Sequence, residues 1–598
     1  MDKIIDDLKS EINNQNDEDN IDSVIENYEQ LENNNINTFF KLPIQYNNNK
    51  KLLSENLIDD LELKNNENKK SIYNNIFKPN NKNYNIIEKQ LIDQWSNYYT
   101  SDKLFLKDSQ NILTLLKTTH ETNNYNNVFE LHNSWMNLKN LKYFNEKYQY
   151  MSWSFLQPLN NNSLFLTLLS YYNLSSPVFS LLLPILMLII PFFILKFRGI
   201  EISISGYWDI LKVILSNNSI IKLFTNFNNS TLQEKSYLII SVFFYIIQIY
   251  QNIESCIMFY NNLNHIMNLY KNLKQYLLNT KEKMNYILSL SKSLNSYSNF
   301  NQEIYNNLTH IDNILNKINF IIKPESFVFQ INQIGYIMKI YYQLYNENSI
   351  HNCLMYTFGF NIYYNHIFNL KQHLEESKLN ICNFTSNKNS YIKKSFYLPL
   401  INNNPIKNDI SIKKNILITG PNASGKTTIL KGFLINQIIS QQFGLGCYDS
   451  AKIKCYDNLY SYINIPDTSG RDSLFQAEAR RCKNILDNIL HNNKQSHLCI
   501  FDELFSGTNP SDAVETATGF IKFMNKYKNV RFLITTHYFD LCNKTKNLNI
   551  INKCMDTSFN DNKEIVYSYK IKNGISQIKA GKDVLKQMDY PEEIFNDV

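Results

Sequence analysis

The residues best suited to chemistry lie in one run, Gly420 to Thr428, which follows a short apolar stretch. Glycines at 420 and 425 let the backbone curl until successive N–H groups face one centre, Lys426 adds positive charge, and Thr427 can offer its hydroxyl to Mg²⁺. Because the chain holds only 14 Gly, this GxxxxGKT pattern predicts a phosphate-binding loop that takes ATP with Mg²⁺. The candidate nucleotide-binding residues in it are Gly420, Pro421, Asn422, Ala423, Ser424, Gly425, Lys426, Thr427 and Thr428.

Two further apolar stretches end in residues that suit hydrolysis. Leu498–Phe501 is followed by Asp502 and Glu503, so Asp502 can order the hydration shell of Mg²⁺ while Glu503 polarises the attacking water. A third stretch, 531–534, ends in Thr-Thr-His, and His537 can sense the γ-phosphate if its strand lies beside the phosphate loop. Structural roles for these acids and a satisfied core histidine remain the alternatives.

A Ser-Gly-rich segment precedes a helical pattern that extends to Ile489. The pattern places Ser473 at the amino end of that helix, where a hydroxyl and free N–H groups can receive a phosphate. In a dimer, that phosphate can belong to the neighbouring subunit's nucleotide.

The elements that position these residues form an α/β domain. Strand patterns replace helical ones near residue 385, which predicts a mostly parallel sheet flanked by helices, following a largely α-helical N-terminal and middle region. Amphipathic stripes at 263–277 and 304–318 predict long packed helices. The predicted divisions are an acidic disordered tail (1–30), a helical N-terminal region (31–155), an apolar region (156–255), a helical core or lever-like domain (256–384) and the ATPase domain (385–598).

The apolar region contains two uncharged runs, 177–195 and 236–253. Each has the length that a bilayer span requires, which predicts two candidate transmembrane helices. The Lys-rich loop between them opposes this topology, because positive loops favour the cytoplasmic side. The alternative is a buried core helix pair broken by Pro184 and Pro191.

The amino-acid composition says more about the type of genome and the cellular compartment than about the function. Ten acids and two Lys in residues 1–30 leave a net charge of +14 on the remainder of a +6 chain, which is compatible with nucleic acid without requiring it. Abundant Asn and scarce Arg are typical of an AT-rich genome, cellular or viral, for example a protist or a giant virus. The nine Cys include no CxxC pair, which favours a reducing interior such as the cytoplasm, the nucleus or a viral factory.

The order of these motifs resembles the ATPase domain of the MutS family over roughly 385–595. The resemblance rests on Asn408-Asp409, Gly420–Thr428, Ser469–Glu478, Asp502–Thr508 and Thr535–Tyr538. It implies a composite ATPase in a homodimer, with Asn408 touching the nucleotide, Ser473 contacting the partner's γ-phosphate, Glu503 and His537 acting in catalysis, and Thr427 with Asp502 on the metal. The signature around Ser473 is closer to MutS-related proteins with membrane segments than to repair enzymes.

Three functions follow as hypotheses. The first is a MutS-like, nucleotide-switched dimeric clamp that binds DNA in mismatch repair or recombination. The second is a membrane-anchored MutS-related mechanical or scaffold ATPase without mismatch recognition, because no recognisable mismatch-reading domain precedes the helices. The third is a nucleic-acid binder without lesion specificity.

Overall fold

The computed structural model describes residues 35–65, 70–77, 86–117, 125–200, 203, 205–209, 232–321, 327–386, 390–463, 465, 473–559, 565–578 and 591. The predicted acidic tail at 1–30 lies outside these residues. The chain divides into two compact units: unit 1 comprises 1–128, 280–308 and 353–598, and unit 2 comprises 129–279 and 309–352. The structure is mixed helix and sheet, with a largely helical N-terminal region.

A six-stranded sheet forms the centre of the C-terminal part of unit 1. Its order is β13-β12-β6-β11-β10-β9, and every neighbouring pair is parallel except the antiparallel edge pair β12 and β13. All five residues of the central strand β6 are buried, as expected for a parallel strand covered on both faces. The strands are β6 Asn415–Thr419, β9 Asn458–Tyr462, β10 His497–Asp502, β11 Val530–Thr536, β12 Ile550–Phe559 and β13 Ile565–Asn573.

A second sheet of five strands precedes and interleaves with the first along the chain. Its order is β5-β4-β8-β3-β7. Its strands are β3 Asn380–Thr385, β4 Ser390–Ser395, β5 Asn408–Ile412, β7 Leu445–Gly446 and β8 Ser450–Lys454. The helices of this part are α13 Lys426–Phe443, α14 Leu474–His491, α15 Pro510–Met524 and α16 Phe539–Lys544. Helix α13 is almost wholly buried, so it is the structural centre of the part that holds the phosphate-loop motif.

The N-terminal segment packs into unit 1 rather than standing apart from it. The amide of Gln442 on α13 donates to the carbonyl oxygens of Trp95 and Tyr98, both at 2.7 Å. The Tyr73 hydroxyl in turn donates to Gln442 Oε1 at 2.7 Å. The segment comprises α1 Ile36–Phe39, α2 Glu55–Asp60, α3 Asn74–Phe77, α4 Ile86–Trp95 and α5 Lys103–Leu115, with a short antiparallel pair, β1 Lys50–Leu52 and β2 Tyr98–Thr100.

Unit 2 is helical. Its elements are α7 Phe144–Lys147, α8 Ser163–Phe197 and α11 Phe327–Asn346, together with parts of α6 Tyr125–Lys139, α9 Leu232–Ser291, α10 Ser298–Asn319 and α12 Asn348–Glu375. Gly335 lets α11 approach α8 closely, because a Cβ there would lie 2.1 Å from the Ser163 carbonyl oxygen. Phe144 stacks on Tyr345 with ring centroids 3.8 Å apart, so it is part of the core of this unit.

The two apolar runs lie on α8 and α9, and many of their side chains face outward. The run 177–195 belongs to one continuous helix, so the alternative of a buried pair broken by proline is wrong. Exposed large apolar residues include Val178, Phe179, Leu181, Phe193 and Ile194 on α8, and Tyr237, Phe243, Phe244, Ile246 and Tyr250 on α9. Within the described residues, Lys235–Ser291 is the one helix long and apolar enough to cross a bilayer by length and composition.

Candidate functional site

The site lies where three neighbouring parallel strands end. Strand β11 pairs with β6 on one side and β10 on the other, placing Thr536 opposite Thr419 and Thr535 opposite Asp502. The strand that leads to His537 therefore lies beside the strand that leads to the phosphate-loop motif, as a sensing role for His537 requires. Because parallel strands end at the same edge of a sheet, Gly420, Asp502 and His537 lie together there. Ligands bind at this edge in such sheets.

The loop from Gly420 to Gly425 has little freedom to change. A Cβ on Gly420 would lie 2.9 Å from the Met555 side chain, and Gly425 adopts a left-handed φ of 91°. Ala423 also has a positive φ, 62°, which costs an L-residue energy and is typical of functional turns. Ser424 fastens the turn by donating to the Pro421 carbonyl oxygen at 2.7 Å.

Lys426 is folded back over this loop. Its Nζ donates to the carbonyl oxygens of Gly420 and Pro421 at 2.9 and 3.1 Å, and lies 3.2 Å from Glu503 Oε1. Only 5% of the side chain is exposed. A buried ammonium is tolerated here because these oxygens replace its hydration shell.

Asp502 is held between two hydroxyls. Thr427 Oγ1 donates to Asp502 Oδ2 at 2.6 Å, and Thr535 Oγ1 donates to Asp502 Oδ1. Thr535 is fully buried, and its Oγ1 and carbonyl oxygen both accept from the Glu503 N–H at 3.2 Å. One threonine therefore sets the positions of both acids. The hydroxyl and carboxylate pair is a set of hard oxygen donors, which is the chemistry that Mg²⁺ prefers.

Glu503 sits between Lys426 and His537. His537 Nδ1 lies 3.4 Å from Glu503 Oε2, and Lys426 approaches the other oxygen. The hydrogen bond from His537, aided by the charge of Lys426 and opposed by burial, lowers the pKa of Glu503 to about 2. Its backbone has a positive φ of 51°, so the carboxylate is presented in a strained turn directly after β10.

Ser473 begins helix α14, as the sequence predicts. Its Oγ accepts from the Gln476 N–H at 3.3 Å, and Gln476 Oε1 accepts from the Ser473 N–H at 3.0 Å. This capping box fixes the first turn and leaves Ser473 exposed. Residues 469–472 of the signature region lie outside the described residues.

The same helix carries a buried acid that reaches the turn after Glu503. Glu478 is 2% exposed and its Oε1 accepts from the Ser506 N–H and hydroxyl at 3.1 and 2.9 Å. Its Oε2 accepts from the Gly507 N–H at 3.1 Å. Helix α14 is thereby tied to the segment that carries the candidate base.

A cavity of about 760 Å³ opens beside the loop. It is lined by loop residues 422–429, both acids, and an outer wall that includes Tyr397, Ile406, Asn408 and Tyr569. The volume lies in the range of small-molecule sites. The lining combines the N–H groups at the amino terminus of α13 with apolar side chains such as Ile406 and Tyr569, which suits the phosphates and the base of a nucleotide.

The amide of Asn408 is engaged with strand β13. Its Nδ2 donates to the Tyr569 carbonyl oxygen at 3.0 Å, and its Oδ1 accepts from the Ile571 N–H at 2.8 Å. Direct contact of Asn408 with a nucleotide stays a prediction, and the geometry adds a positioning role. Tyr569 has a positive φ of 56°, so this contact holds a strained residue at the cavity wall.

Sequence reasoning assigned no role to Thr535, Glu478 or Tyr569. The contact of Thr535 could have been predicted. A polar residue near the end of a buried strand can reach an acid at the end of the neighbouring strand, as Thr535 of β11 reaches Asp502 of β10. Glu478 lay within a recognised motif but had no assigned partner. No local pattern marks Tyr569, which reaches the cavity only through the pairing of β12 with β13.

Comparison with known proteins shows what the C-terminal region is similar to. Residues 416–598 match the family described as MutS domain V. The DNA mismatch repair protein MutS of Listeria monocytogenes serotype 4a is 28% identical over 196 residues, which are 32% of this chain and 22% of that protein. The MutS of Macrococcus caseolyticus is 29% identical over 180 residues, 30% of this chain and 21% of that protein.

A further relative is matched over a similar length. The MutS of Staphylococcus saprophyticus subsp. saprophyticus is 29% identical over 201 residues, 33% of this chain and 22% of that protein. The chain thus spans about a fifth of the length of the curated relatives it matches.

Proposed function

Because residues 416–598 of this chain belong to the MutS family, we propose that it is a Mg²⁺-dependent P-loop ATPase that acts as a dimeric, nucleotide-switched clamp. The observation that carries the proposal is the convergence of Lys426, Thr427, Asp502 and Glu503 at one sheet edge. The mostly parallel six-stranded sheet that carries these residues supports the same proposal. MutS domain V is the ATPase domain of its family.

In the proposed site, the backbone N–H groups of Gly420 and of residues 422–428 hold the phosphates, and Lys426 leaves its carbonyl partners to contact them. Thr427 and Asp502 would hold Mg²⁺, which supplies charge neutralisation at the β- and γ-phosphates when bound. Tyr397, Ile406 and Tyr569 form the wall that suits a purine base. Lys426 would exchange the carbonyl oxygens of the loop for phosphate oxygens. Its buried ammonium group would therefore have oxygen partners both with and without nucleotide.

Glu503 is the proposed residue that orients and polarises the attacking water. Its low pKa keeps the carboxylate ionised at neutral pH, so it can accept a hydrogen bond from water. His537 bridges Glu503 to the end of β11, which makes it the proposed sensor of the γ-phosphate. Movement of either Lys426 or His537 toward a phosphate would free one oxygen of Glu503 for that water.

The test is ATP hydrolysis by the purified full chain with Mg²⁺, compared with Lys426→Ala. We expect Lys426→Ala to lower kcat/KM by at least about 100-fold, because the phosphates lose a buried point charge. Lys414→Ala, an exposed lysine just before β6, is the matched control and should keep parental activity. Absence of nucleotide binding and hydrolysis in the parent, or full activity of Lys426→Ala, would refute the proposal.

The homodimer is proposed from the family resemblance and the exposed position of Ser473. Ser473→Asn keeps an effective helix cap while removing the hydroxyl. Mixing this variant with Lys426→Ala should restore activity above that of either alone, since a mixed dimer contains one intact composite site. No recovery on mixing, with a dimer present by sedimentation, would argue for a site completed within one subunit.

The DNA-binding role is proposed from the family, whose matched relatives are named DNA mismatch repair proteins. ATPase activity measured side by side with homoduplex, mismatched and four-way DNA decides it. Stimulation by mismatched or four-way DNA above homoduplex supports repair or recombination. Equal, salt-dependent binding to all three would favour a binder without lesion specificity.

A second candidate is a membrane-anchored MutS-related mechanical or scaffold ATPase without mismatch recognition. The observation that favours it is the exposed apolar surface of α8 and α9, where the most apolar stretch of Lys235–Ser291 has no buried residues. The two helices contact each other through Tyr245, whose hydroxyl donates to the Ser180 carbonyl oxygen at 3.1 Å. Both helices are longer than the roughly 20 residues that a bilayer core requires.

Vesicle flotation separates this candidate from the first. The parent should float with phosphatidylcholine vesicles and resist extraction by carbonate, whereas Phe243→Lys/Phe244→Lys should not, because two charges in the apolar stretch oppose insertion. Phe197→Lys, at the exposed end of α8, is the control and should float like the parent. Release of the parent by carbonate without detergent would remove the anchor.

A further inference from the structure

A buried ion pair joins the N-terminal segment to helix α14. Arg481 Nη2 donates to Asp60 Oδ2 at 2.9 Å, and the two side chains are 15% and 8% exposed. Arg481 also donates from Nε and Nη2 to the Ser461 carbonyl oxygen at 3.2 and 3.1 Å. The Ser461 hydroxyl completes the cluster by donating to Asp60 Oδ2 at 2.6 Å. Helix α2, strand β9 and helix α14 thus meet at one carboxylate.

The cluster lies one helical turn from Glu478. Residues three apart share a face of a helix, so the face of α14 that binds Asp60 also binds the Ser506–Gly507 backbone through Glu478. Strand β9 supports the same turn, since the Tyr462 hydroxyl accepts from the Phe505 N–H at 3.3 Å. A displacement of α14 would therefore reach the turn that begins at Glu503.

The pair is poorly suited to a purely stabilising role. Burial raises the pKa of Asp60, against the hydrogen bond from Ser461 and the charges of Arg481 and Lys431, and burial also lowers the pKa of Arg481. Desolvation of this kind often cancels the attraction of a buried ion pair, and replacement by apolar residues is then neutral or stabilising. An arginine guanidinium does fix the relative position of the groups that it binds, because it donates to two acceptors in a rigid geometry. The chain contains only five Arg among 60 basic residues.

We propose that Asp60 is a positioning residue that sets the register of α14 through Arg481, and through α14 the placement of Glu503 and Ser473. The N-terminal segment thereby controls the rate of the ATPase without touching the nucleotide. This inference rests on the proposed ATPase function.

The experiment compares Asp60→Asn and Arg481→Lys with two neighbours that undergo the same changes. Asp59→Asn and Arg480→Lys alter exposed positions next to the pair, so they control for charge. A double variant, Asp60→Leu/Arg481→Met, removes both charges and tests stability apart from position. Each full-length protein is assayed for thermal unfolding, for kcat and KM of ATP hydrolysis, and for backbone hydrogen exchange at Ser506 and Gly507.

We expect Asp60→Asn and Arg481→Lys to lower kcat about five- to tenfold with KM within twofold, because misplaced catalytic groups slow the chemical step. Exchange at Ser506 and Gly507 should accelerate several-fold in both, and the two controls should match the parent. The double variant should regain thermal stability and keep the low kcat. Parental kcat in a folded Asp60→Asn protein, or recovery of kcat along with stability in the double variant, would overturn the proposal. If the parent lacks ATPase activity, the proposed function fails, and the exchange measurement alone still tests the coupling, with unchanged exchange overturning it.

Discussion

Thr535 offers the sharpest test of how the site is built. It is fully buried, its hydroxyl donates to Asp502 Oδ1, and it accepts from the Glu503 N–H at 3.2 Å. Thr535→Val keeps the shape and removes both contacts. The hydrogen bond to a carboxylate contributes about 1.5–3 kcal/mol, whereas the Glu503 N–H keeps the Thr535 carbonyl oxygen as an acceptor. The loss therefore falls mainly on the position of Asp502.

If that loss is expressed in the transition state, kcat falls about 10- to 100-fold, since about 1.4 kcal/mol corresponds to a factor of ten. The assay is steady-state ATP hydrolysis at several Mg²⁺ concentrations, and the Mg²⁺ requirement should rise as well. Thr536→Val is the matched control, because Thr536 is adjacent, is also buried and accepts a neutral hydrogen bond from the Tyr538 N–H at 3.0 Å. It should lose about 0.5–1.5 kcal/mol of stability and keep kcat within about threefold. Equal losses of kcat in the two variants, or parental kcat in Thr535→Val, would refute this account of the site.

The remaining predictions concern three other side chains of the site. Glu503→Gln should still bind ATP but hydrolyse it at least about 100-fold more slowly, measured by nucleotide retention and single-turnover hydrolysis; unchanged turnover would exclude Glu503 as the base. The depressed pKa of Glu503, about 2 instead of 4.5, stabilises the fold above pH 4.5 by at most about 3 kcal/mol, and this is lost as pH falls toward 2. The difference in unfolding free energy between the parent and Glu503→Gln should therefore shrink over that range. A difference that does not change with pH would contradict the contacts of Glu503 with Lys426 and His537. Tyr569→Ala should raise KM for ATP about three- to tenfold and leave kcat within twofold. A change in kcat alone would show that Tyr569 does not contact the purine of ATP. Glu478→Gln should accelerate hydrogen exchange at Gly507, and unchanged exchange would show that this turn holds without the carboxylate.

The local elements of the site could be predicted because their signals are contained in short stretches. Five buried residues before Gly420 specify a central strand, and the glycines after it specify a turn with a left-handed residue. Ser473 with Gln476 three residues later specifies a helix start. These features depend on steric limits and on hydrogen bonds between residues close in sequence.

The partners of these elements could not be predicted, because they depend on contacts between distant residues. Arg481 meets Asp60 across 421 residues, and Asn408 meets Tyr569 across 161. In neither pair does the sequence around one residue predict that the other will be its partner. The placement of the N-terminal segment against α13 likewise follows from shape and hydrogen bonding at buried glutamines such as Gln442.

Residue type and spacing were enough to predict the kind of chemistry, because a phosphate loop and the acids after a second strand require nothing more. They also predicted the three strands that end at this loop, at Asp502 and at Thr535, and the helix after Ser473. Three other features came from the folded chain alone: the side chains that hold Asp502 and Glu503, the contact of Asn408 with β13, and the link of α14 to the N-terminal segment through Asp60. A buried polar group must hydrogen-bond to whichever partner packing brings within about 3 Å, and packing depends on the whole chain.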